Sequence, residues 1–368
     1  MKFSCERAFL HAAVTTAARA ASSRSPIPAL EGILIEAGQN NVKLTGYDLK
    51  KGIYTKVEAE VSEQGSIVLN ARILSNIVSS LPEGTVMLKT DGMNVNIKCE
   101  NAEFEIIGSD AADYPELPTV DKQSAIQIPQ SILSCMIRQT IFAVSDNESR
   151  PIYTGELFEI GDGMLTLVAV DGYRLAMRKE AIEGAGEDCS FIVPGNALSD
   201  LEKLCSDTEE PVQISLGSKH ISFAIGETVL ISRRLEGEFL DYRKTVPQLY
   251  RVELLADRYL FQRTVERVSL LIDEKVKTPV RCIFGESQVT VVCATSLGKA
   301  EDCCMLEGNG GELEIGFNNR YLLDALRAVT VDEIKIRLNT GASPCVVVPV
   351  EGDAFLYMIL PVRLKSGE

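Results

Sequence analysis

The chain has no tryptophan and only two histidines, His11 and His220, so it lacks the usual inventory of general bases and of imidazole metal ligands. No Cys-x-x-Cys occurs among its ten cysteines, and the adjacent Cys303 and Cys304 cannot form a metal knuckle. Cysteines this dilute in a 368-residue chain read as reduced core thiols of a cytoplasmic protein, not as a disulfide framework. There is no run of about 18 apolar residues, so no membrane span is expected. The Ala-rich start carries Arg7 and Arg19 and is followed by Ser22-Ser23-Arg24, somewhat like a transit peptide. Glu6 argues against that reading, and the segment has counterparts later in the chain. It is therefore taken as part of the first domain.

Catalytic signatures are also missing. No phosphate-binding loop is present, and Gly161-Asp162-Gly163 and Gly308-Asn309-Gly310-Gly311 lack the third glycine of a dinucleotide fingerprint. A nucleophile elbow is absent too. Glu156, Glu159 and Asp162 could gather round a divalent cation, or could simply be solvated strand ends and turns. The expectation is a protein without enzymatic activity, cofactor or metal.

What is present is repetition. Leu44-Thr45-Gly46-Tyr47-Asp48, Leu167-Val168-Ala169-Val170-Asp171 and Val292-Cys293-Ala294-Thr295-Ser296 recur at a step of about 124 residues. A second series keeps that step: Ile67 to Arg72, Phe191 to Asn196 and Leu313 to Asn318. The period exceeds the roughly 20 to 50 residues of solenoid units, so each repeat can hold its own core. Three domains follow, placed at residues 1–119, 125–244 and 246–368, with linkers near Pro115–Asp121 and Asp241–Pro247.

Within the first repeat, Phe9, Ala13, Ala17 and Ala20 mark a helix inside residues 6–20, and Ile73, Leu74, Ile77, Val78 and Leu81 mark a second. Between and after them lie short alternating strands, at 32–37, 42–45, 53–61, 66–69, 85–90, 93–99 and 103–107. Later repeats place helices at 130–142, 196–205, 257–271 and 319–329. The fold class is α+β: three repeated domains, each with two helices packed on antiparallel sheets.

The net charge of −15 argues against a nucleic-acid binder, since phosphate contacts need Lys and Arg. The six helix windows nevertheless sum to about +4, leaving roughly −19 for the rest of the chain. Helices grouped on one side of such domains would offer a mildly positive surface to a polyanion.

Several segments in one register carry a resemblance. They are Met1-Lys2-Phe3, Arg24 to Leu30, Asp113-Tyr114-Pro115, Val170 to Ala176, Asp241-Tyr242-Arg243, Gly316 to Leu322 and Leu360 to Leu364. Together the chain resembles the bacterial DNA polymerase III beta subunits, the replicative sliding clamps, over essentially its full length. That resemblance implies a head-to-tail homodimer closed into a six-domain ring, helices lining the hole, around double-stranded DNA of any sequence. Such a ring confers processivity on the polymerase without catalysis.

The partners implied are the replicative polymerase subunit, an ATP-dependent clamp loader, repair polymerases and other clamp-motif proteins, with no membrane involved. Their peptides would enter a pocket between the second and third domains. Matching positions in the second domain are Tyr153, Val170, Gly172, Tyr173, Arg174 and Leu175. Those in the third are Val276, Asn318, Tyr321, Pro344, Met358, Ile359, Leu360, Pro361, Val362 and Arg363. DNA contacts are expected from Arg24, Arg72, Arg138 and Asn147, and the ring joint from Phe104 and Ile106 against Leu270 and Leu271. Tyr173, Leu240 and Lys244-Thr245 depart from the common pattern, as does Gly195-Asn196, where relatives often carry a basic pair. Outside the resemblance, a repeat-built peptide scaffold not acting on DNA and a metal-dependent nuclease remain as other classes.

Overall fold

The computed structural model describes residues 1–120, 125–182, 188–273 and 278–364. Val276 and the end of the first linker, Asp121, lie outside the described residues. Among the described residues seven helices form: α1 (Arg7–Ala18), α2 (Ala71–Ser80), α3 (Gln130–Thr140), α4 (Gly195–Leu204), the single turn α5 (Tyr242–Thr245), α6 (Arg258–Ser269) and α7 (Asn319–Ala328). All remaining regular structure is short antiparallel strands and 3-10 turns. Three clamp-type domains of helices and antiparallel sheets are therefore present, as the repeats imply.

Helix starts follow from local chemistry. Asn70, Asp257 and Asn318 each precede a helix and accept an amide of its first turn: Ile73 at 3.1 Å, Leu260 at 2.8 Å and Arg320 at 3.0 Å. The first helix of the first repeat is tied to the end of its second, because Arg7 donates to the carbonyls of Val78 and Ser79. In the third repeat Arg258 takes the same role toward the carbonyl of Val331. Gln130 stands at the equivalent position in the second repeat and accepts the amide of Ser206, just beyond α4.

Two compact units result, one of residues 1–134 with 196–234, the other of residues 135–195 with 235–368. In the first, a five-stranded sheet runs in the order 60–63, 2–6, 85–91, 94–99, 102–107. An eight-stranded sheet joins strand 51–58 of the first repeat to strand 228–233 of the second. Leu10, Val14, Leu74 and Val78 pack with Ile33, Leu44, Leu69 and Leu88 in a single core. α1 lies close on the sheet: a Cβ added at Gly46 would stand 1.9 Å from the Ala17 carbonyl oxygen.

In the second unit one twelve-stranded sheet runs from strand 189–194 to strand 313–317, and strand 174–181 of the second repeat pairs with strand 355–359 of the third. One of its cores packs under α6 and α7, with Phe261, Val265, Leu322 and Leu326. Another, with Leu157, Val168, Val170, Leu175, Met177, Val346 and Met358, is separate. Among the described residues several strand edges are open, including 60–63 and 125–129, which pair on one side only. Strand 102–107 pairs only with 94–99, and strand 298–307 meets strand 252–257 only at Leu306 and Glu307.

Three sequence expectations need revision. Strand Lys2–Glu6 precedes α1 and was not among the expected strands, although Phe3 and Cys5 alternate with Lys2 and Ser4. The expected second linker is docked, because α5 lies inside it and Tyr242 is buried in the second core of its unit. The acidic trio does not gather: Glu156 is fully buried, Glu159 accepts from the Tyr242 hydroxyl and from Arg243, and Asp162 sits in a turn at φ 53. Among the described residues no cluster of three metal-ligating side chains occurs.

Candidate functional site

The second and third repeats meet at the turn between strands 164–170 and 174–181. Asp171 shapes that turn, its Oδ1 accepting the amides of Tyr173 at 2.9 Å and Arg174 at 3.0 Å. Gly172 takes φ 90, a left-handed conformation that costs glycine nothing. The turn lifts Tyr173 into solvent, 62 % exposed, and turns Arg174 inward, 8 % exposed.

Arg174 is held on all sides. Its guanidinium donates to Asp171 at 2.9 Å and to Asp324 of α7 at 2.6 Å, and it lies over the rings of Tyr321 and Phe142 at 4.4 and 5.3 Å. Tyr321 in turn stacks on Tyr173, centroids 6.1 Å apart. The last chain segment closes the site. The Leu360 amide donates to the Tyr173 carbonyl and the Val362 amide to the Gly316 carbonyl, both at 2.8 Å. Asn318, which caps α7, sits beside this stitch.

Most of the expected pocket residues in this unit are thus gathered on one surface. Val170, Leu175 and Met358 form a buried floor with Leu157, Val346 and Tyr242, and Tyr153 packs at its margin, edge-on to Phe239. Leu360, Pro361, Val362 and Arg363 are at least partly exposed, as are Pro344 and Tyr173. Ile359 is a correction. Period-two alternation turns it away from Met358, into the core shared with α6 and α7, so it supports the site from behind.

Phe239, Tyr250, Val346 and Asp324 belong to the surroundings of this site and were not foreseen. A signal for one neighbour was available: Asp241-Tyr242-Arg243 answers Asp113-Tyr114-Pro115. Both tyrosines are buried and hydrogen-bonded, Tyr114 to the Thr45 carbonyl at 3.2 Å and Tyr242 to Glu159 at 2.6 Å. Burial pushes both phenols up.

The candidate DNA contacts are on the surface. Arg24 follows α1 and Arg72 opens α2, both exposed in the first unit. Arg138 in the last turn of α3 and Asn147 are exposed in the second. Arg263 and Arg327 in that unit share Glu266, at 2.8 and 3.0 Å, and Arg267 pairs with Asp302 at 2.6 Å. Their charge is largely neutralised locally, so they add little to the positive helix windows. Of the expected joint residues, Leu270 is 82 % exposed at the end of α6, while Phe104 and Ile106 pack partly against the first unit's core.

Comparison with known proteins gives one family throughout. Models of the DNA polymerase III beta subunit match in order: its N-terminal domain at residues 1–118, its central domain at 127–241 and its C-terminal domain at 243–363. A Beta sliding clamp of Staphylococcus epidermidis is 33 % identical over 374 residues, covering 99 % of each chain, and one of Staphylococcus aureus is 33 % identical over the same span. Among solved structures, the Bacillus subtilis DNA polymerase sliding clamp superposes with a TM-score of 0.94 at 32 % identity, covering 99 % of this chain and all of that one. A Pseudomonas aeruginosa sliding clamp solved with griselimycin bound gives 0.92 at 28 % identity, with 99 % of this chain and 100 % of that chain covered.

Proposed function

Because the chain belongs to the DNA polymerase III beta subunit family, whose members are non-catalytic processivity factors, we propose that two copies close head to tail into a six-domain ring around duplex DNA. The ring holds the polymerase on its template by topology, so weak contacts with phosphates suffice, and weak contacts permit sliding. Arg24, Arg72, Arg138 and Asn147 supply them. The match of all three family domains in order carries the reading.

Two of the open strand edges support the joint. An unpaired edge is a template for another chain, and the edges here fall on the first repeat, at 102–107, and on the third, at 298–305. Phe104 and Ile106 would meet Leu270 and Leu271 of the second copy. Partner peptides, from the replicative polymerase, the loader and repair polymerases, dock on the surface built by Tyr173, Tyr321 and residues 360–363, over the floor that Met358 helps form. An apolar floor with a few polar rims suits a short linear motif. Replication places the protein in the cytoplasm.

The deciding experiment loads the protein onto nicked circular DNA with its loader and then linearises the DNA. Retention on the circle and release on cutting are expected. Equal behaviour on both forms would leave a peptide scaffold that does not encircle DNA.

A further inference from the structure

The turn that builds the partner pocket has a counterpart inside the first unit. Asp48 Oδ1 accepts the amides of Lys50 at 2.8 Å and Lys51 at 2.7 Å, as Asp171 does for Tyr173 and Arg174. Leu49 takes φ 71 where Gly172 takes φ 90. The Arg233 amide donates to the Lys50 carbonyl at 2.9 Å, where the Leu360 amide donates to that of Tyr173. Lys51 pairs with Asp200 on α4 as Arg174 pairs with Asp324 on α7. The backbone frame is shared, yet Lys50 and Arg233 stand where the pocket has Tyr173 and Leu360.

Register places those cations together. Lys51 is opposite Ser232, which puts Lys50 opposite Arg233, and Arg233 is opposite His220. Opposed residues share a face, and Lys51, one residue on, turns to the helices and Asp200. Lys50 and Arg233 are exposed and have no ion-pair partner among the described residues. Like charges directly opposed are unfavourable in a sheet, and the chain has 52 acidic residues that could have relieved them. Lys219 lies alongside, its carbonyl accepting the Arg234 amide at 2.9 Å. Burial first, with Arg233 and Lys219 adding to it, holds the His220 imidazole below its ordinary pKa. Leu49 is 47 % exposed in a left-handed conformation that disfavours leucine.

We propose that this face of the first unit is a second docking site, which takes an acidic linear segment of a partner protein. Its carboxylates meet Lys50 and Arg233, and an apolar side chain rests on Leu49. Phosphate tracking would have no use for a strained, exposed leucine, and the row Lys50, Arg233, His220 offers only the partly exposed imidazole as a ring on which a base could stack. The inference rests on the reading of the equivalent surface in the second unit as a peptide pocket.

The test uses the full chain, a fluorescent peptide of alternating glutamate and leucine, and separately a short labelled duplex. The peptide is expected to bind more weakly as salt rises and to shift the His220 resonances but not those of His11. Binding should fall about tenfold or more in Lys50→Glu with Arg233→Glu, and also, less steeply, in Lys50→Gln with Arg233→Gln, which changes the charge least. It should survive Tyr173→Ala with Leu360→Asp. Unchanged binding in both charge variants overturns the proposal. Binding lost only in the Tyr173 and Leu360 variant also overturns it, while leaving the pocket reading intact. Loss of duplex affinity instead of peptide affinity in the charge variants makes the row a nucleic-acid contact and equally overturns it.

Discussion

Arg174 and Asp324 form a half-buried ion pair, 2.6 Å long, between the turn that ends strand 164–170 of the second repeat and α7 of the third. The same chemistry recurs in the first unit, where Lys51 reaches Asp200 on α4 and Arg19 approaches the other carboxylate oxygen at 3.9 Å. Each pair fastens one repeat to the second helix of the next. Removing the acid leaves a largely buried cation short of a partner. Asp324→Ala and Asp200→Ala are each expected to cost about 1 to 3 kcal/mol in urea unfolding. Unchanged midpoints for both would show that the pairs fasten nothing.

At the proposed partner pocket, Leu175 is buried in the floor, so a charge there would unfold the site and say nothing about recognition. Tyr173→Ala with Leu360→Asp changes only exposed or half-exposed side chains. Affinity for a polymerase-derived clamp peptide should drop at least about tenfold, with the melting curve unmoved. Full affinity in that variant would place the peptide elsewhere.

Glu156 titrates in an unusual place. Burial pushes its carboxyl up to about 8, against one hydrogen bond from Thr140 that favours the anion. The folded chain therefore keeps a proton that the unfolded chain releases near pH 4.5. Stability from this group is complete below about pH 4.5 and declines as pH rises toward about 8, where it levels off. Glu156→Gln, neutral throughout, should gain on the parent protein steadily from pH 5 to pH 8 in denaturant titrations. A constant difference across that range would mean the carboxyl titrates normally.

Closure of the ring is tested by mass. Leu270→Asp with Leu271→Asp should sediment at the 40.2 kDa of a single chain, and the parent protein is expected at twice that. The helix end is exposed, so secondary structure should be unaffected. A dimer that survives both changes would move the joint away from α6.

Helices of several turns were legible in the sequence, as were short strands such as 66–69. The expected helices at 130–142, 257–271 and 319–329 end within three residues of α3, α6 and α7, because several turns of period-3.6 burial leave a clear signal. α5, a single turn of four residues, is too brief to show one. The site divides in the same way. Tyr173 and residues 358–363 came from the family resemblance that short runs of sequence carry, whereas Asp324 joins them only because α7 packs over the turn, 150 positions along the chain. Glu156 and Glu159 looked alike as letters. Three positions apart on a strand, they face opposite sides, one into the core and one toward Arg243.

Gly46 limits how far the three repeats are alike. Its counterpart in the second repeat is Ala169, fully buried, and no methyl fits at Gly46 beneath Ala17. The helix of the first repeat is therefore seated lower on its sheet than a copy carrying alanine could be. The repeats are relatives and not spare parts: a chimera that sets strand 164–170 beneath α1 should fail to close its core, however similar the two sequences look.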